Sequence, residues 1–169
     1  IGAPTDVGAG ALGARLGPDA LRVAGIARAI ARCDRAVADR GNLTGPANPE
    51  QAAVGGFRHL PEVAAWNDAV YGAVYRELCS GHLPLLLGGD HALAIGSLSA
   101  VARHCRERGK QLRVLWFDAH ADFNTAALTP SGNLHGMPVA CLCGHGPRQL
   151  IELSGQSPAL SPADLRLIG

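Results

Sequence analysis

Leu112-Arg113-Val114-Leu115-Trp116-Phe117-Asp118-Ala119-His120-Ala121-Asp122-Phe123-Asn124 is an apolar run that ends in carboxylates and an imidazole. The apolar part reads as a buried strand. Side chains alternate across a strand with a period of two. If extended geometry continues past Phe117, Asp118, His120, Asp122 and Asn124 all project to one side. Ligands usually gather where strands of an open α/β sheet end. Oxygen and imidazole donors without a thiolate suit a fairly hard divalent cation such as Mn²⁺. The alternative is a solvated polar turn, which the strict i, i+2, i+4 spacing disfavours.

Leu83-Pro84-Leu85-Leu86-Leu87 reads as a second buried strand and runs into Gly88-Gly89-Asp90-His91. The glycines permit a tight turn or close backbone approach. His91 then stands at the end of a neighbouring strand, ahead of a helical pattern over 92–108, and is a candidate nitrogen ligand for the same cation. Asp90 is a candidate helix cap. A third stretch, Thr129-Pro130-Ser131-Gly132-Asn133-Leu134-His135-Gly136-Met137-Pro138, reads as a polar loop. Ser131 and Asn133 offer hydrogen bonds to a small substrate's carboxylate or ammonium. His135 carries an imidazole, a group suited to moving protons. A surface turn with Ser131 or Asn133 as a cap is the plainer reading of that loop taken alone.

Around these stretches the elements alternate. Pro18 to Arg32 reads as a helix, with Pro18 in its first turn. Arg35 to Ala38 reads as a short strand, and 44–56 as a loop rich in Gly, Pro and Asn. Pro61 to Ser80 reads as the clearest helix, since Val63, Trp66, Val70, Val74 and Leu78 recur at helical spacing. Helices are also expected over 134–143 and 147–153. Strands separated by helices predict a three-layer α/β/α fold with a mostly parallel sheet covered on both faces.

Composition agrees. The 169 residues are 47% hydrophobic, enough for a sizeable core, and the net charge of +1 gives no electrostatic case for nucleic acid or an anionic membrane. No apolar run approaches the roughly 18–20 residues that span a bilayer, and no secretory signal is visible within residues 1–169, a stretch that does not begin with Met. Five cysteines, an odd number, read as reduced buried thiols of a cytoplasmic protein. Cys141-Leu142-Cys143-Gly144-His145 lacks the second cysteine pair expected of a soft-metal site.

Taken together, Gly88-Gly89-Asp90-His91 with Leu93-Ala94-Ile95-Gly96, Asp118 to Thr125, and Ser131-Gly132-Asn133-Leu134-His135-Gly136 resemble the ureohydrolase family, its arginase branch most closely. The opening Ile1-Gly2-Ala3-Pro4 and Gly17-Pro18 before Leu21-Arg22 extend the resemblance to most of the chain. It implies an arginase-like fold and two Mn²⁺ per subunit. It implies a hydroxide shared between the ions that attacks the guanidinium carbon of L-arginine, giving L-ornithine and urea. His91, Asp118 and Asp122 would bind one metal, and Asp118 and His120 the other, with Asp118 bridging. His135, as proton shuttle, and Asp122 would be the catalytic residues. Asn124, Ser131 and Asn133 would hold the substrate's α-carboxylate. Homotrimers or homohexamers are implied as well.

The departures are as informative. The family's later Asp-x-Asp motif and the Glu that holds the guanidinium do not occur here, and Ala92 stands where many relatives carry Ser. Residues 1–169 are therefore expected to be the N-terminal part of a single catalytic domain, inactive alone. The last residues, Leu165 to Gly169, read as the start of another strand. Ser131-Gly132-Asn133 favours arginine over the substrates of an agmatinase, guanidinobutyrase or formimidoylglutamase. A non-catalytic relative, binding metal or amino acid or serving in assembly, is the reading from another class.

Overall fold

The computed structural model describes residues 1–169. Strands β1 (Gly2–Ala3) and β2 (Leu87–Gly88) pair in parallel, as do β3 (Val114–Phe117) and β4 (Leu165–Ile168). The helices are α1 (Gly17–Val23), α2 (Ile26–Ala31), α3 (Leu60–Cys79), α4 (Ala94–Glu107), α5 (Pro138–Leu142) and α6 (Arg148–Ile151). Every strand pair is parallel, and helices connect the strands, as the alternating pattern predicts for an α/β fold. No helix is long and apolar enough to cross a membrane.

Several elements differ from expectation for local reasons. The helix expected over 18–32 is broken by Gly25, which takes φ 87°, a left-handed conformation that ends one helix and starts the next. Residues 35–38 form no strand. Besides β2, β1 has a second parallel neighbour in the segment 41–43, where Gly2 N donates to Gly41 O at 2.8 Å and Leu43 N to Gly2 O at 2.8 Å. Arg22 fixes that register through Asp39 at 2.7 Å and Asn42 at 2.5 Å, and Asp39 also accepts from Gly41 N. The strand expected over 83–87 pairs only at its end. The helix expected from 134 starts as a 3-10 turn, Leu134–Gly136, before Pro138 opens α5.

Burial organises two cores. Val63, Trp66, Val70 and Val74 of α3 meet Ala3, Leu93, Ile95, Leu134 and Met137 in the larger one. Val114 and Trp116 of β3 meet Val139, Leu142, Leu160 and Leu165 in the smaller. α4 serves both, with Ile95 and Ala100 in the first and Ala102 in the second. The other face of β3 is open: Leu115 is 59% and Phe117 71% exposed, so the expected cover on both faces is not supplied by these residues. All five cysteines are free, but Cys33 and Cys79 are exposed, which corrects the expectation that the thiols are buried. Cys141 is buried, and burial pushes its thiol up to about 12.

The α3–α4 contact fixes where α4 begins. Gly96 N donates to Asn67 Oδ1 at 2.7 Å, while Asn67 Nδ2 donates to Val63 O at 2.9 Å. A Cβ on Gly96 would fall 2.3 Å from Asn67 O. Only glycine lets the two backbones approach so closely. Gly96→Ala is therefore expected to destabilise the protein by about 1–3 kcal/mol through overpacking, measured by urea unfolding.

Candidate metal centre

The site is built at the carboxyl ends of β2 and β3. After β2 the chain crosses Gly89, where a Cβ would lie 2.4 Å from Thr5 O, so glycine is required for the approach to the β1 end. Asp90 follows and is 6% exposed. Its carboxylate accepts from Ala92 N at 2.9 Å, capping the 3-10 turn His91–Leu93 that leads into α4. It also accepts from Gly8 N at 2.9 Å, in the loop after β1. Burial raises the Asp90 carboxyl, and the two amide donors work against that shift. The cap expected of Asp90 is thus present, with a second partner 82 residues away.

His91 Nδ1 lies 2.8 Å from Asp122 Oδ2 and 3.0 Å from Asp118 Oδ2. One ligand atom from each of the three residues falls within 4.8 Å of the others, the only such group in the protein. The His91 ring stacks on Trp116, centroids 4.6 Å apart and planes inclined by 22°. Trp116, two residues before Asp118, is a participant the sequence reading missed; the period-two rule that aligned the acids also puts it on their face. Its Nε1 is buried without a partner.

The alternation does not continue through the loop. Asp122 takes φ 49°, a left-handed conformation, and the chain turns back so that Val139 N donates to Asp122 O at 3.0 Å. Asp is among the residues that tolerate this region, and such strain is typical of sites fixed by their surroundings. The expected single extended face is therefore replaced by a turn. Asp118 and Asp122 still meet at His91, whereas His120 is 82% exposed and reaches only Asp118, with Nδ1 at 2.9 Å from Oδ1. Asn124 and Ser131 are exposed. Asn133 is half-buried, and its Oδ1 has no hydrogen-bond partner. That oxygen suits an ammonium donor, and the amide turned by half a rotation presents its NH₂ to a carboxylate.

The electrostatics separate the two acids. Backbone and side-chain hydrogen bonds from His120 hold Asp118 below the usual carboxylate range. Burial pushes Asp122 up, with the neighbouring Asp118 charge adding to the rise and His91 opposing it. Asp122 Oδ2 is buried and has no well-formed hydrogen bond despite the close His91. A buried carboxylate oxygen without a donor, beside a second acid and one imidazole, is the environment a divalent cation satisfies. The donor set of oxygens and imidazole fits Mn²⁺. A hollow of about 280 Å³ adjoins His91, Gly89 and Ser97. A larger one, about 800 Å³, lies at the opposite ends of β1 and β2 against Ile1 and Leu85 and contains none of these groups.

An α/β chain with oxygen and imidazole ligands at the carboxyl ends of parallel strands is a candidate metallohydrolase. Comparison with known proteins narrows the class. The arginase family matches residues 1–164. An arginase of Bacillus caldovelox is 40% identical over 171 residues, covering the whole of this chain and 56% of the relative. A crystal structure of arginase from Bacillus subtilis superposes with a TM-score of 0.85 at 34% identity, covering 99% of this chain and 55% of that one. An Entamoeba histolytica arginase in complex with L-ornithine superposes with a TM-score of 0.86 at 30% identity, over 99% of this chain and 56% of that one. The chain belongs to the arginase family. It spans about half the length of the relatives it matches.

Asp90→Ala tests what holds the site. Two buried amides would lose their acceptor, so stability should fall by about 2–4 kcal/mol in urea unfolding. A loss under about 0.5 kcal/mol would show that water replaces the carboxylate.

Proposed function

We propose that this chain forms the N-terminal part of the catalytic domain of an arginase, hydrolysing L-arginine with water to L-ornithine and urea. The observation that carries the reading is the convergence of His91, Asp118 and Asp122 in a chain of the arginase family. The structural likeness to an arginase that binds L-ornithine supports the substrate class. His91, Asp118 and Asp122 would hold one Mn²⁺, and Asp118 and His120 a second, with Asp118 shared. Cations so placed lower the pKa of water and supply a nucleophile at neutral pH, which the delocalised guanidinium otherwise resists. The residues of the chain do the rest. Trp116 holds the His91 ring plane. His135 would carry the proton to the leaving amine. Asn124, Ser131 and Asn133 would orient the α-carboxylate. A cytoplasmic oligomer, trimeric or hexameric, belongs to the same proposal.

Metal analysis of the full-length protein after loading should give two Mn²⁺ per chain. Asp118→Ala should abolish both sites, because the shared ligand serves each, while His91→Ala should weaken one. A single ion at saturation in the unaltered protein overturns the dinuclear reading.

Kinetics test the substrate. Arginine should exceed agmatine in kcat/KM by at least about a hundredfold, because a site built for a carboxylate is left with unpaired polar groups when it is missing. Asn133→Ala should raise KM for arginine and narrow that gap. His135→Asn should lower kcat with metal content intact. Equal use of both substrates would move the protein to another ureohydrolase activity.

A further inference from the structure

His59 stands outside every motif described above, yet it is a buried, 5% exposed histidine at φ 54°. Both ring nitrogens are engaged. Nδ1 lies 2.9 Å from Val7 O, and Gln51 N donates to Nε2 at 2.9 Å. A carbonyl only accepts, so Nδ1 carries the hydrogen. Gln51 O is also 3.0 Å from Nε2, so a protonated ring would donate there instead. In either charge state Nδ1 donates to Val7 O.

What Val7 leads to gives the contact its meaning. The next residue, Gly8, accepts from His135 N at 3.0 Å through its own carbonyl and donates to Asp90 at 2.9 Å. The neighbouring Arg58 N donates to Gly132 O at 2.8 Å, and Arg58 Nε to Gln51 O at 3.1 Å. A Cβ on Gly10 would meet Asn133 Nδ2 at 2.6 Å. Val7 and Gly8 therefore form a bridge of two successive carbonyls: His59 holds that of Val7, and the backbone of His135 hangs from that of Gly8.

We propose that His59 is a positioning residue for the 131–135 segment, acting through Val7 and Gly8 on His135. The catalytic part of this inference rests on His135 as the proton-transfer group; the positioning part stands on the hydrogen bonds alone. A left-handed residue tolerates Gly and Asn best. His59→Gly removes the ring without backbone strain. His59→Asn keeps an N–H near the place of Nδ1 and releases Gln51.

Residue-resolved amide hydrogen exchange on the purified protein is the test. In His59→Gly, exchange at His135 N should quicken by about tenfold, as expected for loss of a supporting hydrogen bond, with the α4 amides unchanged. His59→Asn should restore most of the protection. In the metal-loaded full-length enzyme, His59→Gly should lower kcat by roughly tenfold to a hundredfold, as small misplacements do, with KM and Mn²⁺ content kept, and His59→Asn should recover it. Unaltered exchange at His135 in a folded His59→Gly protein, or His59→Asn indistinguishable from His59→Gly, overturns the proposal. Absence of arginine hydrolysis in the unaltered protein would overturn the arginase reading, and the exchange comparison would still decide the role of His59.

Discussion

The buried carboxylate of Asp90 is the constraint on which the site depends. It joins the loop after β1 to the first turn before α4 through two amide donors at 2.9 Å. A charge this deep is tolerable only because backbone N–H groups replace its water. Both partners are backbone, so the bond orients main chain rather than mobile side chains. His91 is the next residue in the chain, and Gly8 carries the carbonyl that holds His135. One ion thus sets the position of a candidate ligand and of a candidate proton carrier.

Rigidity arrives from a different source. α3 and α4 meet at the Asn67–Gly96 contact, where the absence of a side chain lets a backbone amide reach a buried amide oxygen. The two cores then grip α4 from both sides. Against this platform the turn after β3 bears the strain, at Asp122. The division is physical: regular elements bury apolar area and stay put, while the short connection absorbs an unusual dihedral in order to turn two acids toward one imidazole.

The opposing shifts of Asp118 and Asp122 have distinct causes. Asp118 has donors from His120 and sits lower; Asp122 is buried among few donors and sits higher. The two carboxylates share His91, whose single Nδ1 cannot satisfy both. Positive charge placed among these three groups relieves the repulsion and the desolvation at once, which is why the cluster reads as a cation site and not as an ion pair within the protein.

Much of this was written in local sequence. The period of α3, the apolar run of β3 and the glycines before Asp90 are decided within a few residues, because periodicity, β-branching and backbone freedom are local properties. So are the ligand types themselves: two acids and an imidazole at fixed offsets after a strand. Tertiary structure decided the rest. Gly25 breaks one apparent helix into two, and Arg22 selects residues 41–43, not 35–38, to lie beside β1. The turn at Asp122 is held by Val139, the ring of His91 by Trp116, and His59 by Val7 and Gln51. None of these partners is a sequence neighbour. Long-range hydrogen bonds and stacking leave no periodic trace in the chain, so only the folded arrangement reveals which of the polar residues are structural, which face the candidate cation site, and which hold the others in place.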